Sequence, residues 1–382
     1  MVLIAKCQVN ERYCMNYFWN LLKNLDKILV VLPLCFAVFS VTMIASTAHT
    51  GEFVFSSEVR TQIVAYCIGF VAMVVVLFID YHFYVNIERI LYIGSILFLL
   101  TVYMPFLGHQ VDGGLRWINL GITTFQPSEM VKISLVLLSA MYMSRNRNSL
   151  KTFKGVMLSF LYISPFIGIV VLEDLGSAIV MGFAWIFMVF YAGIDLKLFA
   201  KLSGVAALCT PLVYRMLSGA QRARIDAFLN PDNLALPGNY QVWQSRIAIG
   251  SGGLFGKGLF AGTQKELRFL PVQKSDFIFS VIVEELGLIG GAFLISLYTI
   301  FLSRILKIAY NAKDLYGALI SMGFMGMFLF QTFQNIAMTM GLMPVTGVTL
   351  PFISYGGSSI LSCMVAVGLI LNIGMRNKII NF

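Results

Sequence analysis

The chain has 382 residues; 58% are hydrophobic, only 12% are charged, and the formal net charge is +9. Soluble domains carry about 25% charged residues, so the composition excludes a soluble globular protein and points to an all-α polytopic membrane protein. Cys7, Cys14, Cys35, Cys67, Cys209 and Cys363 are scattered without metal-ligand spacing, which argues against a disulfide framework and a zinc site.

A membrane span needs about 20 predominantly apolar residues. About ten transmembrane helices are expected, at roughly 28–47, 61–79, 89–106, 127–143, 155–172, 175–192, 197–216, 276–303, 316–338 and 351–374. They form a single integral membrane domain over 1–382, with 1–27 as a cytoplasmic N-terminal segment. The first apolar run lies behind that polar segment and is closed by no small-residue cleavage site, so no cleavable leader is expected.

Cytoplasmic loops collect Lys and Arg. With the N-terminus inside, the inner segments hold Lys23, Lys27, Arg89, Arg145, Arg147, Lys151, Lys154, Lys197, Lys201, Arg304, Lys307, Lys313 and Arg376 among others. The short outer loops hold only Arg60 and Arg116. Both termini are therefore expected to be cytoplasmic, in a multi-pass protein of the cytoplasmic (inner) membrane. The positive charge reads as topology, not as a nucleic-acid surface.

This orientation places three polar segments outside. In the first, 107–132, Gln126-Pro127-Ser128-Glu129 reads as a helix start, and Glu129 and Lys132, three apart, share a face and can pair. The second, 217–275, is a large fourth extracytoplasmic loop. Its Tyr240, Trp243, Phe255, Phe260 and Phe269 need somewhere to bury. GNYQVWQSRIAIGSGG within it reads as a short amphipathic helix ending in glycines, able to lie in the interface plane. In the third, 339–359, prolines and glycines interrupt an apolar run. Irregular backbone at membrane depth is tolerated only inside protein or along a cavity.

Asp276 sits where the large loop enters an apolar helix. Two readings stay open: a helix cap favoured by the dipole, or a general base whose pKa is raised by partial desolvation. Glu284 and Glu285 lie further in, where a carboxylate needs a cation or a polar cavity; a buried structural ion pair is the simpler reading. Asp174 marks a tight turn between two spans and suits a helix cap. The outer cations are Arg116, Lys132, Arg215, Arg222, Arg224, Arg246, Lys257, Lys265, Arg268 and Lys274. Arginine forks suit phosphate oxygens, and Arg116, Arg222 and Arg224 are the candidates for a lipid-linked diphosphate. The run from Gly250 to Gly258 resembles a phosphate-cradling loop but lacks P-loop spacing. His49, His82 and His109 are far apart, and no serine triad or nicotinamide or flavin fingerprint is present, so no organic cofactor is expected.

Taken together, these segments resemble the SEDS family (shape, elongation, division and sporulation), the RodA/FtsW type of cell-wall polymerase. The matching residues are Arg116-Trp117-Ile118 and Leu120-Gly121 with Gln126-Pro127-Ser128-Glu129 and Lys132; Asp174-Leu175-Gly176; Gln241, Gln244-Ser245 and Gly250 to Gly253; Gly262-Thr263-Gln264, Leu270-Pro271 and Ser275-Asp276-Phe277-Ile278-Phe279; and Gly341-Leu342-Met343-Pro344 through Ser354-Tyr355-Gly356-Gly357-Ser358-Ser359. The family often has Thr where this chain has Ser275, His where it has Lys274 and Ala where it has Leu115. Gly262-Thr263-Gln264 and Leu270-Pro271 look more like RodA than FtsW.

The resemblance implies a peptidoglycan glycosyltransferase that polymerises lipid II, with Asp276 as the catalytic base. Arg116, Glu129, Lys132, Arg222, Arg224, Gln244, Lys257 and Gln264 would surround the diphosphate and sugar. Asp174, Glu284, Ser354, Tyr355, Gly356, Gly357 and Ser358 would build the cavity. A divalent cation, Mg²⁺ or Mn²⁺, fits the same picture, held partly by substrate phosphates, with its protein ligands unknown. The implied partners are a class B penicillin-binding protein and other elongasome or divisome components. The alternatives are a lipid II flippase, a division role like that of FtsW, and a non-catalytic scaffold.

Overall fold

The structure, a computed structural model, describes residues 23–47, 55–104, 106, 108–111, 114–119, 124–263 and 273–377. Helix α1 (Lys27–Ser46) begins where the Asp26 carboxylate accepts the Leu29 amide at 3.1 Å. Helix α2 (Ser57–Phe78) begins where the Ser56 hydroxyl accepts the Val59 amide. These side chains satisfy amides that the first helical turn leaves without partners. Then come α3 (Glu88–Leu100), α4 (Pro127–Arg145), α5 (Phe153–Glu173), α6 (Leu175–Ala192) and α7 (Leu196–Met216). Two helices lie within the large polar segment: α8 (Gly219–Leu229), started by a Ser218–Gln221 capping box, and α9 (Asn239–Gly252). The chain closes with α10 (Ile278–Tyr310), α11 (Leu315–Thr339) and α12 (Gly357–Arg376).

Each expected span coincides with a helix. Among the described residues, α1, α2, α5, α6, α10, α11 and α12 are long and apolar enough to cross a membrane by themselves. The protein is a polytopic helical membrane protein. Three expected spans fall short of that measure for local reasons: α3 has 13 residues, α4 carries Glu129 and Lys132 inward, and α7 carries Lys197, Lys201 and Arg215. The last span starts at Gly357 rather than at 351, because Pro351–Gly356 belong to an irregular segment.

The core is formed where α12 packs along α2, and α11 packs on α6, α10 and α4. Within the first polar segment, 107–132, three short strands form a small antiparallel sheet: β1 (Gly108–Val111), β2 (Gly114–Asn119) and β3 (Thr124–Phe125), in that order. Its β2 strand carries Arg116.

Helix α10 is broken at Gly287, where φ is +71°. The break frees backbone groups inside the bundle, and the segment after α9 supplies their partners. The amides of Leu288 and Ile289 donate to the carbonyls of Gly253 and Leu254; the amides of Lys257 and Gly258 donate to the carbonyls of Glu284 and Glu285. This approach is close enough to require glycine. A Cβ on Gly287 would lie 2.3 Å from the Leu254 carbonyl oxygen, and one on Gly256 2.1 Å from that of Glu285. Of the glycines that suggested a phosphate cradle, Gly252 and Gly256 are thus explained by backbone packing. We expect Gly287→Ala to cost about 1–3 kcal/mol from the left-handed conformation alone, with the clash added, seen as a lowered thermal midpoint of the detergent-purified protein.

The irregular stretch 340–356 passes through the same interior. Its carbonyls are met by polar side chains from the surrounding helices. Asn335 Nδ2 donates to Val348 O at 2.9 Å and Gln334 Nε2 to Pro344 O at 3.0 Å. Ser40 Oγ donates to Ile353 O, Gln62 Nε2 to Ser354 O, and the hydroxyls of Tyr66 and Tyr298 to the carbonyls of Phe352 and Pro351. An unsatisfied backbone group in a membrane interior costs several kcal/mol, so this polar cage is what allows a non-helical segment to sit there.

Candidate active site

The caged segment fixes the turn 273–277, which carries Asp276. Ser354 Oγ donates to Ser275 O at 2.5 Å and itself accepts the Leu350 amide at 2.8 Å. The Tyr355 amide donates to Lys274 O at 2.9 Å, and Asn335 Nδ2 donates to Asp276 O at 3.0 Å. The main chain on both sides of Asp276 is therefore held by α11 and by the segment entering α12. Phe277, not Asp276, occupies the N-cap position of α10, and no side chain caps that helix through it.

The Asp276 carboxylate is half-buried. Its Oδ2 lies over Gly347: a Cβ there would be 3.6 Å away. Burial pushes the carboxyl above the usual carboxylate range; the Ser275 hydroxyl and the Arg116 and Arg224 guanidiniums pull it back down, and Asp174 pushes it up. Atoms surround the group on most sides while part of its surface remains accessible. That is the setting of a base that can be reached by a substrate and is not diluted by bulk water.

Arg224, on α8, donates to Thr346 O at 3.3 Å. The same carbonyl oxygen presses against Gly176, where a Cβ would lie 2.8 Å from it, so α8, the irregular segment and the start of α6 meet at one point. Asp174 caps α6: it accepts the Ser177 amide at 3.2 Å, the Ser177 hydroxyl at 2.8 Å and Gln126 Nε2 at 2.9 Å. Arg116 faces a small crevice with Ser128, Glu173 and Asp174. Arg116 Nε and Ser128 Oγ are both buried and have no hydrogen-bond partner among the described residues. Buried polar atoms are nearly always satisfied, so two orphans in one crevice mark a place where a polar ligand fits.

The other sequence candidates lie apart from this cluster or serve other atoms. Glu129 and Lys132 form a 2.6 Å ion pair buried between α4 and α12, and Ser362 Oγ donates to Glu129 at 2.9 Å. Arg222, two residues from Arg224, turns the other way and donates to the carbonyls of Tyr214 and Arg215 at the end of α7. Lys257 reaches Glu284 at 2.7 Å, with Thr263 Oγ1 donating to the same carboxylate at 3.1 Å. Glu285 accepts the Ser46 hydroxyl and the Phe260 amide. Gln244 Nε2 donates to Tyr240 Oη at 3.0 Å on α9; that helix packs on α10, where Ser245 meets Ser280 at 2.6 Å. Tyr355 underlies Lys274, whose Nζ is 5.3 Å from the ring centroid, and Lys274 also pairs with Glu58 at 2.9 Å. The Gly356 amide donates to Gln62, and Gly357 and Ser358 open α12. Gln264, with Lys265, Arg268, Leu270 and Pro271, lies outside the described residues.

Sequence reasoning passed over Gln62, Gln334 and Asn335. The signal was present: an uncharged amide pair, Gln334-Asn335, inside an apolar helix needs partners. No group of three His, Cys, Asp or Glu side chains among the described residues is placed to hold a metal ion.

The comparisons with known proteins agree with one another. A family model described as cell cycle protein, FtsW/RodA/SpoVE, matches residues 20–379. The chain belongs to the FtsW/RodA/SpoVE family. Among its relatives are the peptidoglycan glycosyltransferase MrdB of Escherichia coli K12, 35% identical over 95% of this chain and 97% of that protein, and the stage V sporulation protein E of Bacillus subtilis 168, 34% identical over 92% and 98%. The solved rod shape determining protein RodA of Thermus thermophilus superposes with a TM-score of 0.66 at 27% identity, covering 94% of this chain and 98% of that one. A chain from a peptidoglycan synthase complex, described as coordinating polymerization and crosslinking, superposes at 0.78 with 28% identity, covering 93% and 99%. In this FtsW/RodA/SpoVE protein, the charges of Arg116, Arg224 and Asp174 all act on Asp276.

Proposed function

We propose that this protein polymerises lipid II into glycan strands at the outer face of the cytoplasmic membrane, with both termini in the cytoplasm. The observation that carries the reading is the placement of Asp276: an accessible carboxylate with a raised pKa, close enough to Arg116 and Arg224 for their charges to act on it. The buried Glu129, Glu284 and Glu285 each contact other protein groups instead.

In this reading Asp276 takes the proton from the acceptor sugar's 4-hydroxyl as its oxygen attacks the donor's anomeric carbon. The bond to undecaprenyl diphosphate breaks. Arg116 and Arg224 stabilise the charge that grows on the diphosphate, with their fixed guanidiniums in a water-poor site. Lys132, Arg222 and Lys257 do not share in this, since they are turned to protein groups. A divalent cation bound to the substrate phosphates would add to the same charge stabilisation. Relatives named MrdB and a related synthase complex support the polymerase class and a class B penicillin-binding protein as partner. The RodA-like pieces around Gly262 and Leu270 support a role in elongation and cell shape rather than division. The contacts of Glu284 with Lys257, and of Glu285 with Ser46 and the Phe260 amide, support a structural role for these two carboxylates.

The test is glycan synthesis from purified lipid II by the purified protein with its cognate penicillin-binding protein, alongside lipid II translocation in liposomes. Polymer without translocation is expected. Translocation without polymer overturns the reading. Rescue of rod shape in cells depleted of their own RodA, and not of septation in cells depleted of FtsW, is expected for the elongation role; the reverse result assigns division.

A further inference from the structure

A cleft lies beside the Asp276 cluster, not within it. It has a volume of about 180 Å³ between α8, α9 and the segment that follows α11. Its walls carry Arg224, Arg246, Asp232, Trp243, Phe228 and Pro344. Two features set it apart from a lipid-facing groove. Two guanidiniums and one carboxylate line the same space as the aromatic rings. Arg246 also passes beside Gly341, where a Cβ would sit 3.4 Å from its Cδ. Gly341 has φ +76°, a conformation that keeps that position free of a side chain. Arg246 is exposed, so its guanidinium can be reached from solvent.

Arg224 belongs to both places. It lines the cleft, donates to Thr346 O, and its charge acts on Asp276. A diphosphate held at Arg224 would therefore lie at the edge of the cleft. We propose that this cleft binds the peptide branch of the sugar-linked substrate. A free carboxylate of the peptide pairs with Arg246, its side-chain amine pairs with Asp232, and the chain lies on Trp243, Phe228 and Pro344. This inference rests on the polymerase reading above. It assigns the cleft a part in substrate selection by peptide charge. Sugar alone would not need both cations and an anion in one cleft, whereas a zwitterionic peptide does.

The test compares lipid II with the same lipid-linked disaccharide lacking the peptide. In the full chain with its partner, Arg246→Ala and Asp232→Asn are each expected to raise the KM for lipid II about tenfold, the effect of losing one charge-assisted hydrogen bond. Neither variant should change kcat for lipid II, or the rate on the peptide-free lipid. Arg246→Lys should recover part of the loss. Equal effects on both lipids, or none on either, overturn the proposal. A second readout does not need catalysis: a photoreactive benzoyl phenylalanine at position 228 is expected to crosslink to lipid II and not to the peptide-free lipid. Crosslinking without polymer would remove the polymerase reading and leave the cleft's ligand standing. Polymer with no peptide-dependent crosslink would remove the cleft proposal alone.

Discussion

Replacing Asp276 by Asn lowers the rate of glycan polymerisation by about 10²–10⁴-fold, the range a positioned general base contributes, without loss of folded protein. The side chain keeps its shape, so the Asn335 and Ser354 contacts to the main chain on either side are retained. Asp276→Glu keeps the base but moves it along its stem, and is expected to fall between the two. The measurement is single-turnover polymer formation from lipid II with the partner protein in excess. A folded Asp276→Asn form that polymerises at the parental rate would sink the assignment.

The pH dependence follows from the same surroundings. The base works as the carboxylate, so the rate rises with pH through the Asp276 pKa. Burial lifts that pKa above its ordinary 3.8, which places the acid limb above the usual carboxylate range. Arg116→Gln removes a charge that pulls it down, so the limb moves to higher pH. Asp174→Asn removes a charge that pushes it up, so the limb moves lower. Stability runs the opposite way. The folded state holds this proton more tightly than the unfolded state, so the favourable contribution is complete below the unfolded pKa and is lost as pH rises through the folded one. At neutral pH the carboxylate opposes folding, and Asp276→Asn is expected to raise the thermal midpoint while it slows turnover.

Much of the fold was legible because its signals are local. Helix α6 was readable as 175–192 since Asp174 caps one end and Gly193, with φ +95°, ends the other. The Glu129–Lys132 pair was readable from a spacing of three on a helix that Pro127 starts. What escaped needed partners distant in sequence. The three short strands around Arg116 carry too few residues for a periodic pattern. The cage around 340–356 joins Ser40, Gln62, Gln334 and Asn335, which only the packed bundle brings together. The glycines of 250–258 were ambiguous in principle, since a bare backbone can approach a phosphate or another backbone equally well. Arg222 and Arg224 looked equivalent, yet positions two apart on a helix face different ways: one closes the end of α7 and the other reaches the Asp276 cluster.

The buried pair on α4 gives the second large effect. Lys132 and Glu129 are 2% and 5% exposed, so Lys132→Met leaves a carboxylate with no cation in the bundle interior. Breaking a buried pair in this way costs about 3–5 kcal/mol, whereas replacing both members by apolar side chains is often neutral. The Glu129→Leu/Lys132→Met double variant is therefore expected to regain most of the thermal midpoint that Lys132→Met loses. Ser362 keeps a partner in the double variant, because its hydroxyl also donates to Ser359 O. Polymerisation is not expected to return with stability. The pair and Ser362 tie the first turn of α4 to α12, and that turn carries Ser128, beside Gln126, which holds Asp174. Apolar side chains fill the space but do not fix the turn, and a displacement of about 1 Å near reacting groups costs about 10²-fold. Thermal midpoints with polymerisation rates for both variants decide the matter. A double variant that is stable and fully active would show that the pair only fills the bundle; one that is stable and slow shows that it sets the position of the Arg116–Asp174 crevice.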